Sequence, residues 1–84
     1  MPNPSVVLYH DIPCPYCKWV RDFLDSRHIS IPMKDIMADP AYWQELLDIG
    51  GKGQVPCLFI DGKPLYESAD IIEWFNQNWT PETK

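Results

Sequence analysis

Apolar and polar positions along the chain follow two periods, and the switches between them mark the elements. Val6-Val7-Leu8-Tyr9-His10 is apolar with little alternation, as in a short strand buried on both faces. From Pro15 to about His28 the period lengthens. Val20, Phe23 and Leu24, joined by Trp19 or Arg27, recur at spacings of three and four, which predicts an amphipathic helix. Pro15 occupies its first position, where a missing N–H costs nothing. Ile29 to Ile36 alternates like a half-buried strand, and Pro32 assigns it to a sheet edge because proline cannot donate to a ladder. Asp39 as cap and Pro40 as first residue open a second helix with Trp43, Leu46 and Leu47 on one apolar face, and Gly50-Gly51 closes it. Val55 to Ile60 is a second apolar strand. Asp61-Gly62 turns it through a tight hairpin into Pro64-Leu65-Tyr66. Ser68 caps a last helix reaching about Asn78, with Ile71, Ile72, Phe75 and Trp79 inward, and Thr80 to Lys84 is a frayed tail.

The resulting order, β-α-β-α-β-β-α, predicts an α/β domain: a parallel β-α-β crossover followed by an antiparallel hairpin, forming a mixed four-stranded sheet flanked by three helices. That arrangement resembles the thioredoxin fold. Eighty-four residues suffice for one domain, 1–84. The apolar fraction of 45%, with four Trp, four Tyr and three Phe, is enough for a core despite nine prolines. Twelve acidic against seven basic residues give a net charge of −5, which argues against nucleic acid or an anionic membrane as partner. No run approaches the roughly 20 apolar residues of a membrane span, and the opening five residues lack the features of a secretory signal. Three cysteines are too few for a disulfide scaffold, so a cytoplasmic setting is expected; the chain is also expected to be a monomer.

The candidate chemistry lies in Cys14-Pro15-Tyr16-Cys17, where a strand feeds a helix. A free cysteine, with pKa about 8.5, is mostly protonated at neutral pH, and only the thiolate is a nucleophile. At a helix start, unpaired N–H groups and the positive end of the dipole favour the anion. Cys14 occupies that position and should attack a disulfide sulfur. Cys17, one turn in and more shielded, should resolve the mixed disulfide. Asp11, close before Cys14, opposes thiolate formation. A zinc site is the bland alternative, with His10 or His28 as ligands. Zinc sites usually carry a second ligand pair, whereas the only other thiol is Cys57 within an apolar strand, so no metal is expected. His10 and His28 read as ordinary surface or strand-end residues, and Cys57 as a small hydrophobe with some scope for a regulatory disulfide.

These residues carry a likeness to a known family. Cys14-Pro15-Tyr16-Cys17 resembles the active site of dithiol glutaredoxins, Gln54-Val55-Pro56 resembles their Val-Pro loop, and Glu67-Ser68-Ala69-Asp70-Ile71 resembles the Glu-Ser-x-x-Ile element of glutathione-S-transferase N-terminal domains and the glutaredoxins near them. The resemblance implies a glutathione-dependent thiol–disulfide oxidoreductase, with glutathione as co-substrate and disulfide-containing or glutathionylated proteins as partners. Cys14 and Cys17 would be catalytic, and Pro15, Tyr16, Lys52, Gln54, Val55, Pro56, Glu67 and Ser68 would shape or hold the glutathione site. Pro56 would be the family's cis-proline. The backbone of Val55 would pair with the cysteinyl residue of glutathione, Ser68 would receive the γ-glutamyl carboxylate at a helix start, and Glu67 or Asp70 would answer its ammonium. Lys52 or Lys18, with Gln54, would meet the glycine carboxylate. The chain lacks the lysine many glutaredoxins carry before the first cysteine, and has Tyr66-Glu67-Ser68-Ala69-Asp70 in place of their Gly-Gly-x-Asp-Asp. Three other readings stand beside this one: a non-catalytic transferase-like module that binds glutathione, a redoxin recharged by thioredoxin reductase, and an iron–sulfur carrier bridging two chains. Two thiols at the helix start, the Glu67-Ser68 pair and Pro15 argue against them in turn.

Overall fold

The computed structural model describes residues 4–79. Its elements are β1 (Val6–His10), α1 (Pro15–Ser26), β2 (Met33–Asp35), α2 (Pro40–Glu45), β3 (Cys57–Ile60), β4 (Lys63–Tyr66) and α3 (Ser68–Asn78). The sheet order is β2-β1-β3-β4, with β1 parallel to β2 and antiparallel to β3, and β3 antiparallel to β4. This is the mixed four-stranded, three-helix thioredoxin fold, with β2, the strand that follows Pro32, at an edge. The frayed tail expected over 80–84 lies outside the described residues.

Side-chain alternation on the central strands builds a core on both sheet faces. On one face Val6, Leu8 and Leu58 meet Val20 and Leu24 of α1 and Ile71 and Phe75 of α3. On the other Tyr9, Cys57 and Phe59 meet Leu46, with the Tyr9 and Phe59 rings 4.9 Å apart. Both-face burial is why β1 carries no polar alternation. The pairings Leu8↔Leu58 and Tyr9↔Cys57 hold the two central strands in register. Asp61 (φ 51°) and Gly62 (φ 86°) both adopt the left-handed conformation that a two-residue hairpin with the sheet's own twist requires.

Several boundaries differ from the sequence reading, each for a local reason. α1 ends at Ser26 rather than near His28, which turns left-handed at φ 58° while the Ile29 amide bonds the Leu24 carbonyl at 2.9 Å. β2 is confined to three residues beyond Pro32, whose carbonyl accepts the Leu8 amide at 3.1 Å. Asp39 caps α2 through the Ala41 amide, but after Glu45 the helix widens into a π-type turn over Leu46–Gly50 before Gly51 (φ 84°) ends it. Trp43 is not part of the core: it is 39% exposed and lies over Gly53, where a Cβ would come within 2.6 Å of its ring. β3 starts at Cys57, two residues later than expected. Ser68 is the first residue of α3 rather than its cap; the cap position falls on Glu67, which makes no side-chain capping bond.

Leu58 is fully buried at the centre of the larger cluster. Leu58→Ala should lower unfolding free energy by about 2–5 kcal/mol, read from urea denaturation midpoints. A loss below about 1 kcal/mol would mean that this cluster does not carry the fold.

Candidate functional site

β1 ends in a short turn that delivers Cys14 to the N-cap of α1, with extended backbone (φ −75°, ψ 121°) and Pro15 as the first helical residue. Its sulfur accepts the Cys17 amide at 3.4 Å, and its carbonyl accepts the Lys18 amide at 3.0 Å. The sequence expectation that this sulfur meets the helix-start amides therefore corresponds to the geometry. Cys14 is half-buried, whereas Cys17 is completely buried one turn along, and all three cysteines are free thiols. Burial pushes the Cys17 thiol up to about 12; a backbone hydrogen bond at Asp11 opposes this, the Cys14 sulfur reinforces it, and the Arg21 charge opposes it. At neutral pH Cys17 is therefore a protonated thiol.

Opposite this turn is a groove of about 390 Å³, lined by Tyr16, Gln54, Val55, Pro56, Glu67 and Ser68. Its volume lies within the roughly 300–1,000 Å³ of small-molecule sites. These six residues come from three separate stretches of the chain, and all were anticipated from sequence. The Val55–Pro56 peptide bond is cis, and Pro56 is buried. Tyr16 is 63% exposed on the rim. Glu67 has φ 75° and ψ 119°, a conformation that costs a non-glycine residue about 1–3 kcal/mol and tends to occur at functional sites. It is held there by Gln54 Nε2, which donates to its carboxylate at 3.1 Å, and by its own carbonyl, which accepts the Ile71 amide at 3.0 Å. Ser68 is buried at the start of α3.

The other expected contributors lie elsewhere. Pro15 does not line the groove. The Lys52 ammonium sits 5.1 Å above the Tyr66 ring, whose hydroxyl bonds the Lys52 backbone, and Lys18 pairs with Asp22 at 2.7 Å on the surface. The groove lining thus carries no lysine, and its side-chain donors are the Gln54 amide and the Tyr16 and Ser68 hydroxyls. Cys57 faces the α2 side of the sheet, while Cys17 belongs to α1 on the other side. Burial pushes its thiol up to about 11, against hydrogen bonds with Tyr66 and the Leu65 backbone. This arrangement gives no support to a disulfide between Cys57 and the Cys14–Cys17 pair. Among the described residues, no three His, Cys, Asp or Glu side chains form a metal-binding group, and no helix is long and apolar enough to cross a membrane.

The sequence reading missed the residues beneath the thiols. His10 is not a surface residue: it is 6% exposed, and Arg21 Nη1 lies 2.9 Å from its Nδ1. Burial first, and then the Arg21 charge, hold its pKa below the ordinary value. Arg21 also donates to the carbonyls of Asp11 (3.4 Å) and Ile12 (3.2 Å). Asp11 Oδ1 is buried without a hydrogen-bond partner among the described residues. The available signal was the spacing of Arg21 four residues beyond Cys17, which puts both on one helix face.

A sulfur at a helix N-cap, a buried second thiol one turn on, and a groove lined by a cis-proline and by Tyr16 from between the two thiols mark a thioredoxin-fold thiol–disulfide exchange site. The chain matches the glutaredoxin family model over residues 6–65 and belongs to that family, placing it among thiol–disulfide oxidoreductases. It is similar to glutaredoxin C1 from Populus tremula x tremuloides in its holo form (26% identity, TM-score 0.69, 89% of this chain and 77% of that one). It is also similar to glutathione transferase Omega 3C from Trametes versicolor (33%, TM-score 0.75, covering 92% of this chain and 34% of the transferase). A glutathione S-transferase from Methylobacillus flagellatus KT with GSH bound is 30% identical, with TM-score 0.74, over 92% of this chain and 38% of that one. The chain thus spans little more than a third of either transferase. No curated protein sequence matches it.

The two buried thiols should be silent to a neutral alkylating reagent. Treatment with iodoacetamide at about pH 8 should label Cys14 and leave Cys17 and Cys57 unmodified in peptide mass maps, because both are raised well above that pH. Labelling of Cys17 as fast as Cys14 in the folded protein would contradict the assignment.

Proposed function

We propose that this chain is a dithiol glutaredoxin of the Cys-Pro-Tyr-Cys type, related to the transferase-like subgroup, which reduces protein disulfides and protein–glutathione mixed disulfides. The observation that carries this reading is the Cys14 sulfur at the first turn of α1 beside the Tyr16–Val55–Ser68 groove. In the one-thiol reaction the Cys14 thiolate attacks the glutathione sulfur of a mixed disulfide. The protein sulfur leaves as a thiolate and takes a proton from water. A second glutathione thiolate then attacks that same glutathione sulfur, giving glutathione disulfide and freeing Cys14. In the two-thiol reaction Cys14 joins one sulfur of a protein disulfide, Cys17 displaces it, and the resulting Cys14–Cys17 disulfide is reduced by two glutathione molecules.

The groove supplies the recognition. The Val55 backbone has the position to pair with the cysteinyl unit of glutathione. The Ser68 hydroxyl and amide at the start of α3 suit the γ-glutamyl carboxylate. Glu67 suits its ammonium, with Asp70 one turn further, and Gln54 is the donor for the glycine end. Lys52 would have to leave the Tyr66 ring to take part. The transferase with GSH bound, 30% identical to this chain, supports glutathione as the occupant, and the 33% identity to a second transferase supports the subgroup. Glutaredoxins have potentials of about −200 to −230 mV, near the glutathione pool, which suits exchange in both directions. The reading includes a single catalytic domain acting as a monomer in the cytoplasm, a setting that keeps such thiols reduced.

Cys14→Ser should abolish glutathione-dependent reduction of a glutathionylated peptide, and Cys17→Ser should retain that reaction while losing reduction of protein disulfides. Turnover surviving in Cys14→Ser would defeat the proposal.

A further inference from the structure

The side chains beneath the thiol pair take no part in the exchange steps above, yet they converge on one cation. Arg21 lies one helical turn beyond Cys17 on the same face of α1. Its guanidinium reaches His10 Nδ1 at the end of β1 and the carbonyls of Asp11 and Ile12 in the following turn. The Asp11 carbonyl also accepts the Cys14 amide at 3.2 Å, so one oxygen joins the arginine to the first thiol's backbone. The Cys17 amide in turn bonds the Cys14 sulfur at 3.4 Å, so the turn that Arg21 holds is joined through Cys14 to the start of α1. A planar fork with five donors can make three such bonds at once; an ammonium group cannot match that geometry. The other charged groups acting on His10 are Asp11 in the turn and Asp35 on β2.

We propose that Arg21 is the positioning residue of the resolving half-reaction: it locks the turn from His10 to Pro13 against α1 and holds a positive charge one turn below the buried Cys17 thiol. The inference rests on the dithiol reading above. Once Cys14 is in a mixed disulfide, its sulfur carries no charge and cannot take up the Cys17 proton. Cys17 must lose that proton to water, and its thiolate attacks Cys14 Sγ. The bond between Cys14 and the substrate sulfur breaks, and the substrate leaves as a thiolate that is protonated from solvent. The charge that appears on Cys17 forms in a buried site, where a fixed cation counts for more than it would in water. The Arg21 charge acts on Cys17 in that favourable sense. The clamp keeps the two sulfurs within reach while the substrate is attached.

The test compares a peptide disulfide, whose reduction needs both thiols, with a glutathionylated peptide, whose reduction needs Cys14 alone. For Arg21→Met and Arg21→Gln the ratio of kcat/KM for the first substrate to that for the second should fall about tenfold. Arg21→Lys, which keeps the charge but not the three-bond fork, should recover part of that ratio. Thermal melts establish that each variant is folded, and Arg21→Gln, which retains donors to the turn carbonyls, carries the test should Arg21→Met unfold. An unchanged ratio in Arg21→Gln, or Arg21→Lys as impaired as the neutral variants, would overturn the inference. So would a parallel fall in both reactions, which would reduce Arg21 to a fold-stabilising residue. Parental protein inactive on both substrates would instead remove the glutaredoxin reading itself, and this inference with it.

Discussion

A helix can stabilise a sulfur anion only at its first turn, where the backbone N–H groups have no carbonyl partner. Cys14 takes up one of those groups, the amide of Cys17, and the rest of the molecule is arranged so that this contact adjoins the groove that Tyr16 lines. β1 is buried on both faces and fixed by its neighbours in register, so the turn that follows begins from a rigid point. Pro15 starts the helix without losing a needed donor. The same geometry makes the two thiols unequal. One sits at the helix mouth in partial contact with solvent, and the other is sealed against the core and kept protonated by burial. The two thiols thus differ by one helical turn in exposure and protonation, although they are the same side chain.

The groove is assembled from segments far apart in sequence. Tyr16 comes from α1, Gln54 to Pro56 from the approach to β3, and Glu67 and Ser68 from the junction of β4 and α3. The pairing of β3 with both β1 and β4 brings them together. The hydrogen bond from Gln54 to Glu67 then links two of the three stretches across the site, at a residue whose positive φ is itself unfavourable. The strain at Glu67 is tied down by that bond and by the Ile71 amide on its carbonyl, which fixes the rim of the groove.

Much of this was legible in the sequence, because local chemistry and burial agreed there. The both-face burial of β1, Pro15 at the start of α1, the Asp61-Gly62 hairpin and the extent of α3 follow from patterns whose physical causes act within a few residues. The six groove residues were legible for another reason: their motifs resemble those of a known family. What could not be read depended on tertiary contacts. Trp43 fits the apolar face of α2 by spacing, yet it covers Gly53 instead. Lys52 and Lys18 matched the charge expected of a carboxylate site, but the Tyr66 ring and Asp22 hold them elsewhere. His10 does end β1 as read, but its burial went unseen because nothing in its own segment indicates the arginine that reaches it from α1. Ser68 had the chemistry of a cap, but the turn out of β4 puts Glu67 in that position.

The central claim is that the Cys14 sulfur, the first turn of α1 and the groove form one site. The most direct measurement is the amide NMR spectrum of the ¹⁵N-labelled protein before and after Cys14 is converted to its mixed disulfide with glutathione. The largest shifts are predicted at the Cys17 amide, which bonds that sulfur, and at the amides of Val55 and Ser68, which border the groove. Shifts confined to α1, with Val55 and Ser68 unmoved, would contradict the account.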